Sequence, residues 1–198
     1  MGLESLNMAV PIPKLTVEEY LAIEREAEYK SEYYRGEMFA MAGGTGKHSI
    51  LAARMIRLLG NRLVGRGCET YTSDMKVQIE PGGLHTYPDV SVVCGKPEYT
   101  DDVEDVLVNP KLIVEVLSKS TEAQDRGSKF QEYKKIASLE EYVLVSKTKA
   151  LVERFGRRPG AEWTQYAEAR GMKAIIELES LGIAIPLEEI YSEIMFEE

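Results

Sequence analysis

Lys111-Leu-Ile-Val-Glu-Val-Leu-Ser118 is a short apolar run with a single carboxylate, Glu115, at its centre. Tyr87-Pro-Asp-Val-Ser-Val-Val-Cys94 is a second such run, with Asp89 near its start. Apolar runs of this length predict strands buried on both faces. An ionised carboxylate in such a strand costs on the order of several kcal/mol unless a partner compensates it. For two such carboxylates the simplest common explanation is a shared cation.

The rest of the chain alternates helical and strand patterns. Thr16-Val-Glu-Glu19 reads as a capping box, Thr16 at the N-cap and Glu19 at N3, opening a helix to about Glu26. Tyr33 to Met41 predicts a β-hairpin turning at Arg35-Gly36. The glycine-rich stretch Ala42-Gly-Gly-Thr-Gly46 precedes a long helix from about His48 to Val64. Strands are expected near 69–79 and 86–94, on either side of the turn signal Pro81-Gly82-Gly83. An acidic loop (Asp101, Asp102, Glu104, Asp105) leads into the strand around Glu115. Thr121 to about Ala137 is predicted helical, Glu141 to Ser146 a further apolar strand, and 150–155 a strand after a turn at Thr148-Lys149. The tail, 161–198, alternates short strands with a last amphipathic segment ending in acid. Residues 1–14, with Pro11 and Pro13, read as a lead-in, and 15–198 as one domain. The strand–helix–strand step over 111–146 predicts a right-handed parallel crossover, which makes the class α/β, or α+β if that step is misread.

Composition narrows the chemistry. The chain carries 24 Lys and Arg against 33 Asp and Glu, a net charge of −9, which argues against non-specific, high-affinity binding of nucleic acid. Locally the balance reverses: Lys47, Arg54, Arg57, Arg62 and Arg66 follow one another with no acid between Lys47 and Cys68. Such a set is usually a solvated helix face. Arg154, Arg157 and Arg158 form a weaker cluster, a second contact or a polar turn. The two histidines, His48 and His85, exclude a His-rich zinc site, so a metal here should be hard and oxygen-ligated. Cys68 and Cys94 lack metal spacing; a hairpin could bring them near each other, but in a reducing compartment they are expected as buried thiols. No signal-peptide pattern and no apolar run of about 20 residues is found, so a cytoplasmic location without a membrane segment is expected.

Asp89 and Glu115 are 26 residues apart, enough for a strand, a loop and a return alongside it. Pro88 removes a ladder donor just before Asp89, as at a strand beginning or an opened edge. Two adjacent carboxylates raise one another's pKa unless a cation intervenes. Mg²⁺ (or Mn²⁺) accepts one or two carboxylates while keeping waters and phosphate oxygens, and can promote attack on a phosphodiester. Gly43-Gly-Thr-Gly-Lys-His48 fails as a phosphate-binding loop: Met41 stands where the first glycine belongs, and His48 where Ser or Thr is needed.

Pro88-Asp89, a spacer, and Glu115 on an apolar strand resemble the PD-(D/E)XK nuclease superfamily, whose core order of helix, three strands, helix and strand also matches. Tyr87-Pro-Asp-Val-Ser-Val-Val93, Leu112-Ile-Val-Glu-Val-Leu-Ser-Lys-Ser-Thr121, Asp125, Lys129, Tyr133 and Glu141-Tyr-Val-Leu-Val145 are similar to a bacterial restriction-endonuclease family within it. His48 and the tail ending at Tyr191 fit as well. The resemblance, from about Leu15 to the end, implies a central mixed sheet flanked by helices and a Mg²⁺- or Mn²⁺-dependent endonuclease acting on DNA as a homodimer. It implies that Asp89 and Glu115 hold the metal, with the Val116 carbonyl as a further ligand. Lys129 becomes the catalytic lysine, because Leu117 stands at the usual position two residues beyond the glutamate. Asp125, Tyr133 and His48 are then candidates for contacting substrate. The long helix lacks the glutamate that some relatives supply as a third acid, and neither Glu37 nor Asp74 is assigned that role.

Each residue has a plainer reading. Glu115 could pair with Lys129 in a buried polar network, Asp89 could end a strand, Lys129 could be solvated, and His48 could sit idle in its helix's first turn. A binding or assembly module of the same fold, its carboxylates kept for structure, is the competing function. A third class is a phosphoesterase acting on small nucleotides.

Overall fold

The computed structural model describes residues 14–196. The lead-in up to residue 13 and the last two acids of the tail lie outside the described residues. The capping box forms as expected at α1 (Val17–Glu26): Thr16 Oγ1 accepts from the Glu19 amide at 3.1 Å, and Glu19 accepts from the Thr16 amide at 2.8 Å. β1 (Ser31–Tyr34) and β2 (Glu37–Ala40) make the hairpin, turning through Arg35 (φ 50°) and Gly36 (φ 96°). Positive φ at both turn residues is what a two-residue hairpin loop demands. Gly36 is needed for a second reason, since a Cβ there would lie 2.5 Å from Lys14 Cβ.

The central sheet has six strands in the order β11 (Gln165–Arg170), β10 (Leu151–Gly156), β9 (Glu141–Ser146), β8 (Leu112–Leu117), β6 (Val90–Cys94), β3 (Cys68–Thr72). It is mixed: β8 and β9 run parallel, the other pairs antiparallel. A smaller sheet joins the hairpin through β1 to β5 (His85–Thr86), β4 (Lys76–Gln78) and β7 (Val106–Leu107). Leu51, Met55, Leu58, Leu59 and Leu63 put the apolar stripe of α2 (Gly46–Leu63) against one face of the large sheet, together with the C-terminal pair β12 (Ile175–Leu178) and β13 (Ile183–Pro186) and helix α5 (Leu187–Tyr191). The other face is covered by α4 (Ser128–Tyr133), preceded by α3 (Glu122–Arg126). The α/β class and the parallel crossover over 111–146 are therefore as expected.

Four sequence expectations change. The strand expected near 69–79 is two strands in different sheets, broken at Thr72–Met75, where the Met75 amide donates to the Thr72 carbonyl at 3.0 Å. The strand expected at 86–94 likewise leaves the small sheet after Thr86 and joins the large one at Val90. Tyr87-Pro88-Asp89 is the switch, and Pro88, with no amide to offer either ladder, stands in its middle. The helix expected from Thr121 to Ala137 breaks at Gly127 (φ −110°, ψ −105°), where a Cβ would come within 2.9 Å of the Ala123 carbonyl. Finally, Cys68 and Cys94 are joined by a disulfide rather than held as buried thiols. The β3–β6 register sets them directly opposite, with Cα atoms 4.0 Å apart.

Candidate active site

Register brings the two carboxylates together. β6 and β8 pair antiparallel with Val90 opposite Val114, so the next step outward sets Asp89 opposite Glu115, on the same face of the sheet. Beyond Val90 the chain no longer supplies a ladder partner to β8, and the Asp89 side chain takes its place. Its Oδ2 accepts the Val116 amide at 2.8 Å, while the Asp89 amide lies 3.3 Å from Glu115 Oε2. Because N–H and C=O of one strand residue project to the same edge, the Val116 carbonyl also faces this opening.

Glu115 lies on the face of β8 that carries Ile113 and Leu117 into the core under α4. That packing accounts for Leu117 at the usual lysine position: its 4 % exposed side chain is part of the apolar layer. A lysine reaches Glu115 from α4. Lys129 Nζ is 2.9 Å from Glu115 Oε1, 3.5 Å from Glu32 Oε1 and 3.9 Å from Asp125 Oδ1. Tyr133, one turn on, donates to the same Glu115 oxygen at 2.7 Å. Burial pushes the Glu115 carboxyl up to about 7, with Lys129 pulling it down and Asp89 pushing it further up. Burial also raises the Asp125 carboxyl. Burial alone would lower the Lys129 ammonium, but the three carboxylates outweigh it and hold the group charged.

His48, in the first turn of α2, places Nε2 3.1 Å from Asp89 Oδ2. The hydrogen bond to Asp89 raises the imidazole pKa above its ordinary value. Asp89, Glu115, Val116, Asp125, Lys129 and His48 all line one cavity of about 870 Å³, while Tyr133 stands behind its wall, fully buried. The plain reading of Glu115 as one half of an ion pair with Lys129 thus describes a real contact, and that contact lies within the same cluster as Asp89.

Two lining residues had escaped the sequence reading. Glu32 of β1 accepts from Thr86 Oγ1 as well as facing Lys129, and Lys147 follows the end of β9 at the rim. An acid in a hairpin and a lysine in a turn carry no signal of their own; only the register of β1 beside β5 brings Glu32 inward. Glu37 and Asp74 do not line the cavity, and Asp74 pairs with Lys30.

Part of the basic stretch is engaged within the molecule. Lys47 donates to the Met195 carbonyl at 2.7 Å, Arg54 to the Ile190 carbonyl at 3.0 Å, and Arg62 to Glu189 at 2.7 Å, so three of its five cations bind the C-terminal segment. Arg154 is buried against Glu141 and Glu179, both at 2.9 Å, and Arg157 donates to the Leu139 carbonyl at 2.8 Å.

Among the described residues, no group of three His, Cys, Asp or Glu is arranged to hold a metal ion. The smaller donor set at 89 and 115 nevertheless fits a hard cation. Asp89 commits Oδ2 and Glu115 commits Oε1, whereas Asp89 Oδ1 accepts no hydrogen bond among the described residues and Glu115 Oε2 has only the 3.3 Å amide contact. Each carboxylate therefore has an oxygen that no side chain takes, and five acids (Glu32, Asp89, Glu115, Asp125, Glu132) line the cavity beside three lysines (Lys30, Lys129, Lys147) and His48. Charge and donor hardness suit Mg²⁺ or Mn²⁺.

The model of the Uma2 family, described as "Putative restriction endonuclease", matches residues 17–188. "Uncharacterized protein slr1290" of Synechocystis sp. (strain ATCC 27184 / PCC 6803 / Kazusa) is 37% identical over 188 residues, spanning 95% of this chain and 97% of that protein. "Uncharacterized protein sll1609" of the same organism is 36% identical over 169 residues, 85% of this chain and 95% of that one. A crystal structure described as a "putative nuclease belonging to DUF820" from Anabaena variabilis ATCC 29413 superposes with a TM-score of 0.72, covering 91% of this chain and 99% of that one. At 18% identity, that likeness is one of fold.

Proposed function

The chain belongs to the Uma2 family, and on that premise we propose that it is a metal-dependent DNA endonuclease hydrolysing phosphodiester bonds. The observation that supports this most is the register step that sets Asp89 against Glu115, each with one oxygen that no side chain takes, at an edge of β8 open to the cavity. In this reading Asp89, Glu115 and the Val116 carbonyl hold Mg²⁺ or Mn²⁺. When bound, the ion supplies a water of lowered pKa and neutralises charge on the phosphodiester. Tyr133 and the Val116 amide fix the two carboxylates in place, so little rearrangement accompanies the chemistry. Lys129, kept charged by its three acidic neighbours, orients the attacking water or steadies a phosphate oxygen. His48, oriented by Asp89, directs its ring at the substrate phosphate, and Asp125 keeps Lys129 on the cavity side.

A homodimer would bring two such sites to the two strands of a duplex. A cytoplasmic site of action agrees with a DNA substrate, and among the described residues no helix is long and apolar enough to cross a membrane. The second reading, a binding or assembly module, draws on the Glu115–Lys129 pair and on the internal engagement of the arginines. Plasmid cleavage in Mn²⁺, wild type beside Asp89→Ala, separates the two. Nicking by wild type that the variant lacks is expected; equal cleavage by both, or none by either, contradicts the nuclease reading.

A further inference from the structure

Resting on the nuclease reading, we propose that the cavity takes its DNA as an unpaired strand, with a base beside the cut phosphate stacked on Phe39. Glu32 and Phe39 are directly opposite in the β1–β2 hairpin, so their side chains stand on the same face. Glu32 reaches Lys129 from that face, and Phe39 lines the same cavity with 49 % of its surface exposed. Among the described residues, Phe39 alone of the exposed large hydrophobic side chains lines this cavity. Tyr34, two residues on from Glu32, lines it as well.

A lone exposed ring is unremarkable on a protein surface. Here three further observations give it a use. The chain carries a net charge of −9, and Lys47, Arg54 and Arg62 of its basic stretch are hydrogen-bonded to the C-terminal segment. With that overall charge, stacking on an aromatic ring is a sequence-tolerant source of affinity beside phosphate neutralisation. The space itself, about 870 Å³, falls in the range of small-ligand pockets, and Glu115 within it is 4 % exposed. A short stretch of single strand can bring a phosphate to those carboxylates and an unstacked base to Phe39, whereas in a duplex each base is already paired and stacked on its neighbours, so a base must first leave the stack. Lys147 and His48 at the wall offer cations to the entering strand.

The test is binding of a single-stranded deoxyoligonucleotide carrying 2-aminopurine, read by fluorescence quenching in Ca²⁺, beside the same oligonucleotide annealed to its complement. Wild type is expected to bind the single strand at least about tenfold tighter than the duplex and to quench the fluorophore. Phe39→Ala should weaken single-strand binding by about tenfold and abolish quenching, and Phe39→Trp should restore both. Equal affinity for duplex and single strand, or unchanged quenching in Phe39→Ala, would overturn the proposal. Cleavage of plasmid and of single-stranded circular DNA in Mn²⁺ tells which idea has failed. Metal-dependent cutting of both forms that ignores Phe39→Ala ends the stacking site alone, whereas no cutting of any DNA removes the nuclease reading beneath it.

Discussion

Replacing Lys129 with methionine keeps the volume of the side chain and removes its charge from the centre of three carboxylates. The lysine side chain is 9 % exposed, and its nitrogen lies 2.9, 3.5 and 3.9 Å from Glu115, Glu32 and Asp125. Taking one member from a buried ion pair costs about 3–5 kcal/mol, because the charge left behind has neither water nor a partner. An exposed pair would cost less than about 1 kcal/mol. The structure therefore demands a loss near 3 kcal/mol or more for Lys129→Met at pH 8, measured by urea unfolding in EDTA. Glu115→Gln should repair much of it, and the double-mutant cycle should return a coupling of about 2 kcal/mol or more. The loss should shrink at pH 5.5, since burial has pushed the Glu115 carboxyl up to about 7 and a proton can replace the ammonium. A loss under about 1 kcal/mol, or one that Glu115→Gln leaves unchanged, would refute the reasoning and mean that Lys129 is a solvated helix residue.

The chain has two histidines, and NMR titration should separate them: burial lowers His85 to about 4, while the bond to Asp89 raises His48 above its ordinary value. Since unfolded His85 takes a proton near pH 6.5 while the folded chain keeps it neutral, stability should fall by about 3 kcal/mol as pH drops from 6.5 toward 4; two titrations near 6.5 would contradict this. Arg54→Ala and Arg62→Ala should each cost about 1–3 kcal/mol in thermal or urea unfolding, with DNA affinity changed by less than about twofold. Large affinity losses at unchanged stability would mean that the helix faces DNA. Breaking Cys68–Cys94, 26 residues apart, should lower stability by about 3 kcal/mol in dithiothreitol, and free thiols titrating in the native, unreduced protein would contradict the bond.

Local chemistry was readable where the determinant was local. The capping box at Thr16, the hairpin turn at Arg35-Gly36 and the apolar strands around Glu115 and at 141–146 are each decided within a few residues. Glu115 was readable too, because a carboxylate in a doubly buried strand is anomalous wherever it occurs, whereas its pairing with Asp89, just outside β6, rested on the family resemblance. Determinants distant along the chain were not. Period-two patterning identifies a strand but not its sheet, so the switches at Thr72–Met75 and Tyr87–Asp89 were invisible. Arg54 and Arg62 looked like a free basic face because their partners lie more than a hundred residues away. Glu32 has the sequence context of any hairpin acid, and its approach to Lys129 depends on two further strand pairings. Cys68 and Cys94 needed a register, which spacing alone does not supply.

The most direct measurement is an equilibrium titration of the metal-free protein with Mn²⁺, followed by electron paramagnetic resonance. Wild type is expected to show one saturable site per chain, weakened by about tenfold or more in both Asp89→Asn and Glu115→Gln while each variant stays folded. No saturable binding, or binding that neither substitution disturbs, would mean that the two carboxylates do not share an ion.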